Sequence, residues 1–94
     1  MAYIVIPREG VRVFIRELPE LSREGRIQLA ASLYGVLRAQ GDFLRENCPH
    51  LSPNLFWYSL GVNDQGKIRT YRFLVDDHVA PYGVLTIEYG EEIT

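Results

Sequence analysis

Cysteine and lysine are almost missing from this chain. Cys48 is the single cysteine, so no intramolecular disulfide forms and no CxxC metal site exists. Lys67 is the single lysine, and the other basic residues are all arginines. Histidine is scarce too: His50 and His78 stand far apart, with no HxH, HxxxH or Cys/His cluster to suggest a metal site. Adjacent Asp76 and Asp77 would point apart on a strand and read as a turn pair rather than a metal clamp. The short stretches GDF, YGV and YGE lack the spacing of a phosphate-cradling loop, and there is no GxSxG nucleophile motif. No cofactor is therefore expected. No apolar run approaches the roughly 20 residues that cross a bilayer. The opening MAYIVIPREG has neither a basic flank nor a small-residue cleavage site, which points to a cytoplasmic protein without membrane contact. A strong excess of one charge is also lacking. The net charge of −2 argues against a surface that coats nucleic acid.

What is present suits one small domain, residues 1–94, with a single core. The charge is unevenly spread. Residues 1–45 carry seven arginines against five acids, whereas residues 76–94 carry five acids and no lysine or arginine. Arginine favours bidentate contacts to phosphate or carboxylate more than lysine does, although it is also a common solvating choice.

Hydrophobic spacing then sets out the elements. Tyr3 to Ile6 is a brief β-rich segment ended by Pro7. In REGVRVFIREL, the residues Val11, Phe14, Ile15 and Leu18 recur at i, i+3, i+4 and i+7, an amphipathic helix closed by Pro19. Arg8, Arg12 and Arg16 form a stripe along the border of its apolar face. That stripe is either a solvated flank or a docking strip for phosphates or an acidic partner. Ser22 caps a longer helix, REGRIQLAASLYGVLRAQ, that Gly41 is expected to end. Ile27, Ala30, Leu33, Tyr34 and Leu37 line one side of it, and Leu29 and Val36 widen the apolar arc. Ala31, Gly35 and Ala39 recur every four residues, a spacing that permits close approach of another helix. The sheet and the first helix are expected to cover it, or a partner chain, which leaves room for a homodimer.

GDFLRENCPHLSPN reads as a short helical turn capped by Asp42, then a loop. LFWYSLGVN and KIRTYRFLV flank DQG, which suits a tight hairpin. DDHVAPYG turns the chain into a last strand, VLTIEY. The order β-α-α-β-β-β predicts an α+β domain in which a two-helix hairpin packs on a mostly antiparallel sheet. Alternation along KIRTYRFLV sets Lys67, Arg69, Tyr71 and Phe73 against Ile68, Thr70, Arg72 and Leu74, without deciding which face the helices cover.

Basic and phenolic groups on the strands, with His50 before them, are enough in kind for metal-free RNA cleavage. That reaction needs a base for the ribose 2′-hydroxyl, cations for the phosphorane and an acid for the leaving oxygen. The same groups also serve as ordinary packing and surface charge.

The element order, with FIRELPELSREGRIQLAASLYGVLRAQGDFL and then LFWYSLGVNDQGKIRTYRFLVDD, resembles the RelE/ParE toxin superfamily, nearest its phage-derived HigB-type branch. The likeness spans nearly the whole chain, through motifs that are themselves degenerate. It implies a small intracellular toxin held inactive by a cognate antitoxin. RelE-like and HigB-like members cleave mRNA on the ribosome without a metal, whereas ParE-like members poison DNA gyrase. Carried onto this chain, the resemblance makes Arg72 the stabiliser of the scissile phosphate, His50 the candidate base and Tyr89 a further catalytic group. Arg69, Lys67 and Tyr71 become substrate contacts, and Arg8, Arg12 and Arg16 the partner surface. Arg72 is expected on the open, concave face and Arg69 near the hairpin end.

Two features depart from the family pattern. HigB-like chains tend to finish with a lysine-rich segment, but this one finishes YGEEIT, with Glu91 and Glu92. The lysine pair before the second family strand is replaced by CPHL. Those acids would repel RNA. Three readings remain: a toxin with altered contacts, a member without nuclease activity, or a gyrase-type or other protein-binding relative.

Overall fold

The computed structural model describes residues 3–77 and 83–93. Strand β1 (Ile4–Pro7) lies at one sheet edge, where a proline is tolerated because its missing N–H is not needed by a neighbour. Helix α1 (Glu9–Arg16) buries Val11 and Ile15. It stops before Leu18, which is buried just beyond the helix and precedes Pro19. A residue before proline is disfavoured from helical geometry, so the expected last turn unwinds.

Helix α2 (Arg23–Asn47) starts as its sequence indicates: the Ser22 hydroxyl accepts a hydrogen bond from the Gly25 N–H at 3.1 Å. It does not end at Gly41. Gln40 leaves helical geometry (φ −126°, ψ 25°), the helix kinks, and it resumes to Asn47. Gly41 is needed there for a packing reason, because a Cβ would come within 2.5 Å of the Tyr3 ring. The face of α2 turned to the sheet is the line Leu29, Leu33, Leu37 and Leu44. Ile27, expected on that face, lies 200° round the helix from Leu29 and is 58 % exposed. Nothing within the described residues approaches the position a Gly35 Cβ would take, so at Gly35 the small-residue stripe seats no described element.

The sheet has the order β1-β5-β4-β3-β2, with β1 parallel to β5 and the other pairs antiparallel. Strand β2 (His50–Ser52) forms within the segment expected to be a loop, as a short edge partner of β3 (Leu55–Asp64). Strands β3 and β4 (Lys67–Asp76) join through Gln65 (φ 54°) and Gly66 (φ 82°), the paired positive φ values of a tight hairpin turn. Strand β5 (Val84–Ile93) completes the sheet. The turn expected over DDHVAPYG, including His78, lies largely outside the described residues.

Helices cover the face bearing Phe56, Val62, Tyr71, Phe73, Val75, Leu85 and Ile87, all essentially without solvent exposure. That resolves the ambiguous alternation of β4: Arg69 belongs to the helix side and Arg72 to the open side. The hairpin tip also holds the helical layer in place. Asp64 accepts from the Ser22 N–H at 2.8 Å and from the Ser22 hydroxyl at 2.6 Å. A carboxylate there complements the positive helix N-terminus, and the Ser22 hydrogen bonds hold the Asp64 carboxyl below the usual carboxylate range. Gly25 has no side chain because a Cβ would meet the Asp64 carboxylate at 2.8 Å. No helix among the described residues is long and apolar enough to cross a membrane.

Candidate functional site

The open face of the sheet carries one polar cluster. Pairing of Ser59 with Arg72 and of Trp57 with Leu74 brings the β3 and β4 side chains side by side. A bulge in β5 supplies the rest. Val75 pairs with Ile87 but Leu74 pairs with Tyr89, so Glu88 is the extra residue. The slip turns Tyr89 and Glu91 onto the face of Arg72. The Arg72 guanidinium sits 4.1 Å above the Trp57 ring, and Tyr89 meets Trp57 edge-on at 6.4 Å. Arg72 Nε donates to Glu91 Oε2 at 2.5 Å, and the Tyr89 hydroxyl donates to Glu91 Oε1 at 3.1 Å. The Arg72 hydrogen bond holds the Glu91 carboxyl below its ordinary range, while the bond to Glu91, and its negative charge, push the Tyr89 phenol up. At neutral pH this is a carboxylate bracketed by a guanidinium and a neutral phenol.

Of the residues singled out in the sequence, Arg72 and Tyr89 therefore converge, and Glu91 is what joins them. His50 is elsewhere. It pairs with Phe56 at the β2 edge, its ring 5.9 Å from the Phe56 ring and its Nδ1 2.9 Å from the Cys48 carbonyl. Phe56 points to the helices, so His50 stands on the opposite side of the sheet from Arg72. Arg69 also lies on the helix side, near the hairpin end, where its Nη1 donates to Glu92 at 3.0 Å. Lys67 is exposed at the same end, paired with Asp64 across the turn. Tyr71 is a core residue rather than a substrate contact. It has no exposure, its ring meets Phe14 edge-on at 6.3 Å, and its hydroxyl has no partner among the described residues. Burial, helped by the charge of Glu92, pushes its phenol up to about 12.

The arginine stripe of α1 is likewise redistributed. Arg8 turns to the bulge residue Glu88, at 2.9 and 3.3 Å, and leaves the strip. Arg12 and Arg16 instead face Arg23 and Arg26 of α2 across a groove of about 500 Å³, floored by Ile15, Ile27, Ala30 and Tyr34. Among the described residues, none of these four arginines has a carboxylate within ion-pairing distance. Arg26 Nη1 donates to the Arg16 carbonyl at 2.7 Å, which fastens one rim to the other.

Sequence reading missed Arg23, Arg26 and Ile27 as groove residues, and Trp57 and Glu91 as companions of Arg72. Helical spacing from Leu29 would have placed Ile27 off the core line. Glu91 needed the bulge, which no local pattern announces.

No group of three His, Cys, Asp or Glu side chains suited to a metal occurs among the described residues. Comparison with protein-family models, with curated proteins and with solved structures returns no match.

Proposed function

We propose that the chain is a non-catalytic, protein-binding module of RelE/ParE-like architecture, whose partner docks on the helical hairpin. One observation carries this reading: the sheet arginines Arg69 and Arg72 are paired with carboxylates, whereas the four arginines that rim the groove are not, among the described residues. Arg72 and Arg69 are held by the successive acids Glu91 and Glu92, at 2.5 and 3.0 Å. A phosphodiester reaching Arg72 would have to displace Glu91 and approach its negative charge. The groove offers the reverse: four arginines surround an apolar floor. That arrangement suits an amphipathic helix with apolar anchors and acidic flanks, laid into a hydrophobic groove. On the resemblance, the partner is a cognate antitoxin or a gyrase-type target.

A second reading has its own support. Arg72, Tyr89 and Glu91 together hold the kinds of groups that metal-free RNA cleavage on the ribosome needs, with Glu91 in place of His50 as the base. It requires Glu91 to leave Arg72 when RNA arrives. Induced expression with mapping of transcript ends, and a ribosome-dependent cleavage assay with purified protein, separate the two. Intact transcripts are expected. Discrete cleavage that disappears in Arg72→Ala would replace the binding reading with the nuclease one.

A further inference from the structure

The open sheet face is unlike the groove in a second respect: it is apolar at its ends and self-neutral at its centre. Ile68 is 74 % exposed and Ile93 42 % at the hairpin end, and Ile4 is 64 % exposed and Ile6 46 % at the other. Between them lie Trp57, Leu74 and Tyr89, then the Arg72–Glu91 pair. An exposed apolar sheet surface of this kind marks an interaction site.

We propose that this face is the interface of a homodimer, closed by a second copy of the chain packed face to face. The chemistry of the seam between β4 and β5 selects that occupant. Arg72 pairs with Glu91, and Leu74 with Tyr89, across this seam. A two-fold axis lying in the interface along the seam exchanges each β4 position for its β5 neighbour. Arg72 of one copy then stands over Glu91 of the second, Tyr89 over Leu74, and the Ile68 and Ile93 end of one over the same end of the other. A self-complementary surface is what an isologous contact requires. Aligned sheet-on-sheet packing, about 10 Å between layers, accommodates it.

Charge and size agree with this choice. Arg72 and Glu91 cancel, so two copies meet without like-charge repulsion. The same contact made through the groove would bring four arginines against four more. The molecule extends 38 Å by 22 Å along its two longest axes. That footprint is of the order of the roughly 800 Å² per partner in a specific interface. The proposal is independent of what the groove binds and leaves that surface free.

Sedimentation velocity and light scattering on the full chain, from low to high micromolar concentration, test it. The wild type is expected to dimerise. Ile68→Glu and Ile93→Glu are both expected to weaken the dimer at least about tenfold, since each substitution acts twice in an isologous contact. Ile27→Glu, in the groove, should leave it intact. Ile68 and Ile93 are exposed, so circular dichroism should report an unchanged fold. Arg72→Glu should also dissociate the dimer, and Arg72→Glu with Glu91→Arg should restore it. A monomeric wild type overturns the proposal. So does a dimer that survives both isoleucine substitutions, or one that Ile27→Glu dissolves. Binding of a single-stranded RNA oligonucleotide to the wild type that Ile68→Glu abolishes would assign the face to nucleic acid instead.

Discussion

The groove between the helices and the open face of the sheet both display arginine beside apolar side chains, yet their electrostatics are opposite. On the sheet, strand pairing sets an acid next to each arginine: Glu91 beside Arg72 and Glu92 beside Arg69. In the groove, Arg12 and Arg16 face Arg23 and Arg26, and the charge accumulates. A cross-strand neighbour is supplied by the register and is held by the ladder, so neutralisation on the sheet costs little side-chain entropy. Two helices meeting side by side have no such pairing rule. Their facing surfaces bring together whatever each helix presents. The same residue type is thus an internal counter-ion in one place and an unpaired recognition element in the other.

The comparison predicts the largest difference in binding. A synthetic helical peptide with leucines at i, i+4 and i+7 and glutamates beside them should bind the groove. Arg23→Glu with Arg26→Glu should weaken that binding by about 10–100-fold, measured by fluorescence anisotropy, with a steep salt dependence. Arg69→Glu with Arg72→Glu should leave it within about twofold, because those arginines lie on the sheet. Equal losses in the two doubles would erase the distinction drawn between the surfaces.

A change of pH should destabilise the fold at both ends of the scale, through different groups. Glu91 and Asp64 have depressed carboxyl pKa values in the folded state, through Arg72 and Ser22 respectively. Their contributions are present at neutral pH and are lost as pH falls through those depressed values. Tyr3 and Tyr71 behave in the opposite sense. The Tyr3 phenol, hydrogen-bonded to the Asp42 carboxylate, and the buried Tyr71 phenol are both raised to about 12. Folding favours their neutral forms, so stability should be full below about pH 10 and decline from there to about 12. Denaturant midpoints across pH give the readout, and Tyr71→Phe should remove part of the alkaline decline.

The smallest effect concerns Tyr71 at neutral pH. Its buried hydroxyl has no partner among the described residues. Tyr71→Phe should therefore be neutral or stabilising by up to about 1 kcal/mol in urea unfolding. A loss of more than that would mean the hydroxyl has a partner in solution, and the residue a role beyond packing.

Much of the fold was legible because it rests on local rules. The spacing of Val11 and Ile15, the Ser22 cap and the turn at Gln65 and Gly66 are each contained within a few neighbouring residues. What was misread depends on contacts distant in the chain. Gly41 reads as a helix end until Tyr3 is seen packed on it, and CPHL reads as a loop until Phe56 offers it an edge. The candidate site was half legible. Arg72 and Tyr89 do share a surface, but His50 sits on the other side of the sheet, which alternation within one strand does not reveal.

By itself the sequence determined two amphipathic helices, a set of alternating strands and an excess of arginine in the first half. Helical and strand periods act over a few residues and are written directly in the chain. Tertiary structure alone decided which arginines, in either half, would be neutralised. A single extra residue, Glu88, displaces every later side chain of β5 to the other face and so brings Glu91 to Arg72. Because the strand period is two, one residue of slip reverses a face, and only pairing with a neighbouring strand determines where that slip occurs.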